Sequence, residues 1–175
     1  AWSGSAPPQR VFEALNGYFA AITPWIHELG GTIDNFRGDG IMVIFGAPLP
    51  HADACGAAFA AARQIVTQGR RLLAGVPEPG GAALDVAVGI AYGEAVYGDL
   101  GSAERRDFTA LGDAVNVAAR LQDLSKSRGY PVLMTLAVLQ RLGAAGQGEG
   151  APQILGEAGL RGHSPVAVAG WRPPA

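Results

Sequence analysis

The feature that most constrains the fold is an acidic residue between two glycines, Gly38-Asp39-Gly40, set between two strand-like runs. The run before it covers residues 32–37, and the run after it covers residues 41–45. Asp-Gly between such runs predicts a β-hairpin, because glycine accepts the positive φ that a tight turn needs. Asp39 would then lie at the hairpin tip, either as an ordinary turn residue or as a carboxylate held in place to bind a metal ion.

The composition permits one globular domain. The chain has 175 residues, of which 49% are apolar and 16% charged, so it can bury a core. A net charge of −2 provides no broad basic face for nucleic acid. The single cysteine, Cys55, excludes an internal disulfide and fits a reducing compartment. The longest apolar runs are the length of strands, and no signal peptide is recognised, so we expect a cytoplasmic domain, alone or as part of a membrane protein.

Helical and strand-like patterns both occur along the chain. Apolar residues at helical spacing predict a helix over residues 11–29, with Pro24 either kinking it or opening a second short helix. Residues 84–92 predict a strand, and residues 95–97 predict its hairpin partner. Helices combined with antiparallel hairpins indicate an α+β fold of the ferredoxin-like kind.

A second chemical pattern lies on the helix that Gly112-Asp113 opens, with Asp113 as the expected N-cap. Asn116 and Arg120 are four residues apart, so both project from one face. An amide beside a guanidinium suits an anionic, hydroxylated ligand such as a nucleotide, because the arginine fork matches phosphate oxygens. Two solvated polar groups on a helix surface would show the same spacing.

Other common site motifs are absent from the sequence. There is no P-loop, no strand-linked dinucleotide fingerprint and no serine nucleophile elbow. The three histidines, His27, His51 and His163, lack zinc-ligand spacing. The hairpin acid and the Asn–Arg pair therefore remain as the chemical candidates.

Four stretches resemble the class III nucleotidyl cyclase catalytic domain, the adenylyl and guanylyl cyclase homology domain. In chain order they are GGTIDNFRGDGIMVIFGAP, VAVGIAYGEAVYGDLGS, RRDFTALGDAVNVAARLQ and LRGHSPVAVAG, and they cover the chain almost end to end. The resemblance implies one domain over residues 1–175, of the bacterial adenylyl cyclase type, with an antiparallel or mixed central sheet flanked by helices. It also implies an enzyme that converts ATP to 3′,5′-cyclic AMP and pyrophosphate.

The same resemblance implies roles for three residues. Asp39 would be one of two aspartates that bind two divalent ions, Mg²⁺ or Mn²⁺, which activate the ribose 3′-oxygen and offset charge as pyrophosphate leaves. Asn116 would orient the ribose, and Arg120 would stabilise charge on the phosphates. The family builds each site from two subunits, with the metal aspartates from one and the Asn–Arg pair from the other. A homodimer is therefore implied, and a monomer should be inactive.

The sequence departs from the family pattern at its start. Trp2 and Ser3 align with a segment whose backbone binds phosphate, which places the first metal aspartate about two residues before Ala1 and leaves the first strand missing. We expect such an N-terminally truncated domain to bind two metal ions poorly and to be inactive or weakly active. In the whole protein, we expect the domain to be fused to regulatory or membrane segments.

Asn35 and Thr109 are the expected base-contacting pair. Adenylyl cyclases typically have lysine at the position of Asn35 and guanylyl cyclases glutamate, whereas an amide can both donate and accept. Thr109 fits the bacterial adenylyl pattern, so we expect ATP as the substrate, with weakened selectivity against GTP. Arg161 stands near the position of a lysine that reaches the triphosphate, or it is a surface arginine beside a turn.

Two alternatives stay open. Asn35 permits a guanylyl cyclase. A non-catalytic cyclase-like module that dimerises or binds nucleotide would fit a gene that lacks the first metal aspartate, although Asp39, Asn116 and Arg120 argue against it. An acid just upstream of Ala1 would support catalysis.

Overall fold

The structure, a computed structural model, describes residues 8–73, 85–102, 104, 106–148 and 150–174. The α-helices are α1 (Pro8–Glu28), α2 (Ala54–Gln64), α3 (Arg70–Leu73), α4 (Asp113–Arg128) and α5 (Leu136–Leu139), with a π-helix at Ile65–Gly69 and a 3-10 helix at Gly143–Gly146. The strands are β1 (Gly31–Arg37), β2 (Gly40–Phe45), β3 (Val88–Ile90), β4 (Val96–Gly101), β5 (Arg106–Leu111), β6 (Val132–Thr135), β7 (Gln153–Ala158) and β8 (Val166–Trp171). Within these residues, no helix combines the length and the apolar character that a membrane span requires.

Helix α1 is continuous and packs by one apolar face. Ile22 and Ile26, one turn apart, are fully buried, whereas Phe12 is exposed. The sequence left open whether Pro24 kinks the helix or starts another one, and the structure keeps Pro24 inside a single helix. The hydroxyl of Thr23 donates to the carbonyl of Phe19 at 2.7 Å. The predicted helix over residues 11–29 is therefore confirmed.

Strands β1 and β2 form the predicted antiparallel hairpin. Arg37 pairs with Gly40, so the two-residue turn is Gly38-Asp39 rather than Asp39-Gly40. Gly38 has a φ of 62°, in the left-handed region that glycine adopts at low cost. Glycine at the first central position fits a type II′ turn, whose twist matches that of the flanking strands. Asp39 lies at the tip, as predicted.

A β-bulge interrupts the middle of β1. The register runs from Ile33 opposite Val43 to Asn35 opposite Met42, so Asp34 is the extra residue. Neighbouring side chains of a regular strand point to opposite faces, but a bulge re-aims one of them. The side chains of Asp34 and Asn35 both reach β5 as a result.

The four-stranded sheet, in the order β3-β6-β8-β7, carries much of the core. It is mixed, because β3 and β6 are parallel while β6–β8 and β8–β7 are antiparallel. Leu133 and Met134 of β6 are fully buried, as expected of a strand covered on both faces. Trp171 of β8 packs edge-on against Phe59 of α2, with ring centroids 5.9 Å apart. The remaining strands form the two-stranded sheets β1-β2 and β4-β5.

Helix α4 lies directly against β3. A Cβ atom built on Gly89 would lie 2.0 Å from the carbonyl oxygen of Ala118, so only glycine permits this approach. Val117 and Leu121 bury the adjoining face of α4 in an apolar cluster with Leu133. The sheet therefore fixes the orientation of α4 and of the polar residues on its other side.

One predicted strand pairing is wrong. The sequence predicted a hairpin between residues 84–92 and residues 95–97. In the structure, β3 pairs with β6, and β4 pairs with β5. Apolar alternation indicates a strand, but it does not specify which strand lies beside it, and nearness along the chain is only a tendency.

Candidate active site

The two residues predicted to contact a base meet in the structure. Asn35 Nδ2 of β1 lies 3.5 Å from Thr109 Oγ1 of β5, although 74 residues separate them in the sequence. Both side chains are half-buried. The structure thus brings the pair together, while the contact with a base stays a prediction.

Asp34 holds this pair in place. Its carboxylate accepts hydrogen bonds from Thr109 Oγ1 at 2.7 Å, from the Ala110 backbone N–H at 3.2 Å, and from Asn35 Nδ2. Arg37 Nε donates to Asn35 Oδ1 at 3.1 Å. Only one orientation of the Asn35 amide gives the guanidinium an acceptor and the carboxylate a donor, so the network fixes that orientation.

Asp34 was missed at the sequence level, although β1 carried a signal. Ile33 and Phe36 are three residues apart, and an unbroken strand with a period of two cannot place both on one face. Two adjacent polar residues between them indicate a bulge, and bulges often re-aim a side chain near a functional site. The partner strand 75 residues away could not be read from this pattern.

Asn116 and Arg120 project from the same side of α4, as their spacing predicted. Asn116 is exposed, and Arg120 is half-buried. Asp113 lies three residues before Asn116 and therefore shares this side. The prediction that Asp113 is the N-cap is wrong. Gly112 occupies the cap position, and Asp113 is the first residue of the helix.

The turn between β7 and β8 packs against this side of α4. His163 Nε2 lies 2.8 Å from Asp113 Oδ2, and His163 Nδ1 lies 2.7 Å from the Ser164 carbonyl oxygen. The Ser164 carbonyl and then the Asp113 carboxylate raise the pKa of His163, because both accept hydrogen bonds from the protonated ring, while Arg120 opposes them. A Cβ atom built on Gly162 would lie 3.7 Å from Arg120 Nη1.

Arg161 belongs to the same turn and is exposed. Its neighbour Gly162 lies beside Arg120, so Arg161 and Arg120 belong to adjoining segments, the turn and α4. Positive charge in two adjoining segments suits an anionic ligand. The contact of Arg161 with a triphosphate stays a prediction.

Asp39 is exposed at the hairpin tip. In the part of the chain that the structure describes, its side chain forms no hydrogen bond or ion pair. No group of three or more histidine, cysteine, aspartate or glutamate side chains in that part could hold a metal ion. The described residues alone therefore do not fit a site for two metal ions. Trp2 and Ser3, predicted to contact phosphate, lie outside the described residues.

Residues 2–166 match the family described as the adenylate and guanylate cyclase catalytic domain. An uncharacterized protein of Mycobacterium tuberculosis is 38% identical over 169 residues, and one of Mycobacterium bovis is equally similar. These alignments cover 94% of this chain and 29% of either relative. The chain thus spans less than a third of the length of these relatives.

Solved structures show the same fold. A bacterial light-regulated adenylyl cyclase is 28% identical with a TM-score of 0.74, covering 95% of this chain and 45% of that chain. The guanylyl cyclase Cya2 is also 28% identical, with a TM-score of 0.69, covering 95% and 82%. The adenylyl cyclase CyaB from P. aeruginosa, at 24% identity, has a TM-score of 0.81 over 98% of this chain and 86% of that chain, which shows the fold alone. The predicted ferredoxin-like α+β fold is confirmed.

Proposed function

Because the chain belongs to the adenylate and guanylate cyclase catalytic domain family, we propose that it is the catalytic domain of an adenylyl cyclase, which converts ATP to 3′,5′-cyclic AMP and pyrophosphate. Neighbouring structures include an adenylyl and a guanylyl cyclase, so the substrate must be argued from this chain's own residues. The observation that carries the proposal is the contact between Asn35 and Thr109, since it joins, across the fold, the two positions that we propose contact the base.

Asn116 and Arg120 are proposed to bind the sugar and the phosphates. An exposed amide can hydrogen-bond a ribose hydroxyl, and a guanidinium matches phosphate oxygens. Their common side of α4 is held by the buried face that packs on the sheet. A rigid helix of this kind keeps both groups positioned before the nucleotide binds, which favours catalysis by electrostatic stabilisation.

Asp39 is proposed as one ligand for Mg²⁺ or Mn²⁺, with two ions in each site. Carboxylate oxygens suit either ion, and both oxygens of Asp39 are available at the hairpin tip. The remaining ligands are proposed to come from the substrate phosphates and from residues outside the described part. Metal ions in such a site supply activation of the 3′-oxygen and neutralisation of the leaving pyrophosphate.

The site is proposed to form between two copies of the chain. Asp39 has no hydrogen bond or ion pair to α4 of its own chain within the described residues. A second copy could supply the hairpin tip to the Asn116–Arg120 side of the first, and two-fold symmetry would then create two equivalent sites. The greater length of the relatives supports the further proposal that regulatory or membrane segments accompany this domain. A cytoplasmic location is proposed as well.

A cyclase assay on the chain extended upstream by one strand tests the function. ATP or GTP is supplied with Mn²⁺, and cyclic AMP and cyclic GMP are quantified over a range of protein concentrations. Cyclic AMP that rises faster than linearly with protein is the expected result, because activity requires the dimer. Cyclic GMP instead would identify a guanylyl cyclase. No product from a folded, dimeric protein would favour a nucleotide-binding module.

A further inference from the structure

We propose that Asp34 is a positioning residue that makes the site selective for adenine, because it holds the Thr109 hydroxyl as a hydrogen-bond acceptor and the Asn35 amide as a donor. The inference rests on the proposed function in one respect: it assumes that this pair meets the nucleotide base. It adds a residue that the sequence pattern did not identify and a physical reason for the substrate preference.

The donor capacity of Thr109 is already used. A threonine hydroxyl has one hydrogen to donate and two lone pairs to accept with. At 2.7 Å from Asp34 Oδ2, the Thr109 hydroxyl is the donor, since an ionised carboxylate can only accept. What Thr109 can still offer a ligand is therefore an acceptor.

The Asn35 amide has the opposite hydrogen-bonding capacity left over: its acceptor is used and a donor remains. Its oxygen accepts from Arg37 Nε, and one of its two amide hydrogens points to Asp34. Thr109 Oγ1 lies on the same side of the amide nitrogen as Asp34 Oδ2, at a nitrogen–oxygen distance of 3.5 Å, which is at the limit of a hydrogen bond. The second amide hydrogen points away from both oxygens and bonds to no described residue, so Asn35 can donate it to an acceptor on a ligand.

An acceptor beside a donor complements adenine and opposes guanine. Adenine presents its exocyclic amine, a donor, next to the ring N1 acceptor, whereas guanine presents the O6 acceptor next to the N1–H donor. Thr109 would accept from the adenine amine, and Asn35 would donate to adenine N1. With guanine, both contacts would place like groups together and leave them unpaired, and sites built on hydrogen bonds reject such substrates strongly.

The bulge in β1 makes this arrangement possible. Without the extra residue, Asp34 and Asn35 would point to opposite faces of the strand. With it, the carboxylate reaches Thr109 and the Ala110 backbone, while the neighbouring amide stays beside them. Asp34 has no partner residue on β2, so its position serves the contact with β5.

Binding of nucleotides that cannot be cyclised tests the inference directly. The probes are 3′-deoxy-ATP and 3′-deoxy-GTP, which lack the attacking hydroxyl, and their dissociation constants are measured by calorimetry with Mn²⁺ on the full-length protein. The parent should bind the adenine probe about tenfold more tightly or better, and Asp34→Ala should bring the two constants close to parity. A purely structural defect would weaken both probes equally and leave their ratio unchanged.

A double-mutant cycle tests whether Asp34 acts through Thr109. Thr109→Val removes the hydroxyl at nearly the same shape and should itself abolish the preference for the adenine probe. This variant also tests the inference if Asp34→Ala does not fold. Adding Asp34→Ala to Thr109→Val should then change the ratio of the two constants less than about twofold, because the interaction is already lost. Asp123→Ala, at an exposed carboxylate of α4, is the matched control and should retain the parent ratio.

The binding and activity measurements distinguish failure of this inference from failure of the proposed function. Three results would overturn the inference. The parent could bind both probes equally or bind neither, or the Asp34→Ala variant could keep the preference. Asp34→Ala could also change the ratio in the Thr109→Val background as much as it does in the parent. If the parent prefers the adenine probe through Asp34 but forms no cyclic nucleotide from ATP, the proposed function fails and the inference stands. If it forms cyclic AMP while Asp34→Ala retains the preference, the inference fails and the function stands.

Discussion

Asp34 and Asp39 are carboxylates on the same β-hairpin, five residues apart, and their surroundings are opposite. Asp34 is half-buried at a bulge and accepts hydrogen bonds from Thr109, Ala110 and Asn35. Asp39 is exposed on a two-residue turn, and its side chain bonds to no other described residue. A carboxylate that accepts hydrogen bonds from several protein groups fixes the positions of those groups, whereas a carboxylate without such partners on a tight turn is available to a ligand. This contrast supports the proposals that Asp34 positions its neighbours and that Asp39 binds a metal ion.

The largest expected effect comes from removing the free carboxylate. Asp39→Ala should lower metal-dependent cyclic AMP formation by on the order of a thousandfold, because a metal ion supplies several kcal/mol of transition-state stabilisation. Its free energy of unfolding in urea should change by less than about 0.5 kcal/mol, since an exposed turn side chain contributes little. Asp123→Ala is the control for loss of an exposed carboxylate. Full activity of Asp39→Ala would refute the assignment of Asp39 to the metal site.

Mixing two inactive variants sharpens the division between the hairpin tip and α4. Asp39→Ala and Asn116→Ala chains combined in equal amounts should recover about a quarter of the parent activity, because half of the dimers are mixed and each mixed dimer has one intact site. As a control, each variant mixed with itself at the same total concentration should recover no activity. If mixed dimers form, as shown by tagged co-purification, and activity is not restored, the site is not shared between subunits.

Replacing Asp34, the hydrogen-bonded carboxylate, should lower the free energy of unfolding, whereas replacing Asp39 should hardly change it. Asp34→Ala leaves the Thr109 hydroxyl and the Ala110 N–H without their acceptor, and a buried or half-buried polar group left unpaired costs about 1–3 kcal/mol. The free energy of unfolding from urea titrations of Asp34→Ala and Asp39→Ala measures the difference between the two sites. Equal values would contradict the contrast drawn between them.

The sequence was sufficient where the evidence was local. The Asp-Gly signal predicted the hairpin and the tip position of Asp39, and the i, i+4 spacing placed Asn116 and Arg120 on one side of a helix. Asn35 and Thr109 were paired through the family pattern, and the structure brings them into contact. In each case, neighbouring residues or a known order of motifs carried the information.

The sequence failed where the answer depended on contacts between distant segments. The role of Asp34 requires β5, and that of His163 requires the start of α4, 50 residues earlier in the chain. The neighbour of β3 was predicted wrongly for the same reason, since β6 lies far along the chain. A strand pattern identifies the strand and its buried face, whereas partners are selected by the packing of the whole domain.

A third carboxylate, Asp113, extends the comparison and carries the smallest expected effect. Its partner, His163, lies 2.8 Å away, and hydrogen bonds to the Ser164 carbonyl and to Asp113 raise the pKa of this histidine. A raised pKa in the folded state means that the stabilisation is fully present below the unfolded pKa of about 6.5 and is lost as the pH rises through the folded value. The melting temperature of the parent should therefore exceed that of His163→Ala at pH 5.5, and the difference should shrink at pH 9. His27→Ala is the control for loss of an exposed histidine. A parent–variant difference that is equal at both pH values would show that His163 stabilises the turn without its proton, and Asp113 would then resemble the free Asp39 more than the bonded Asp34.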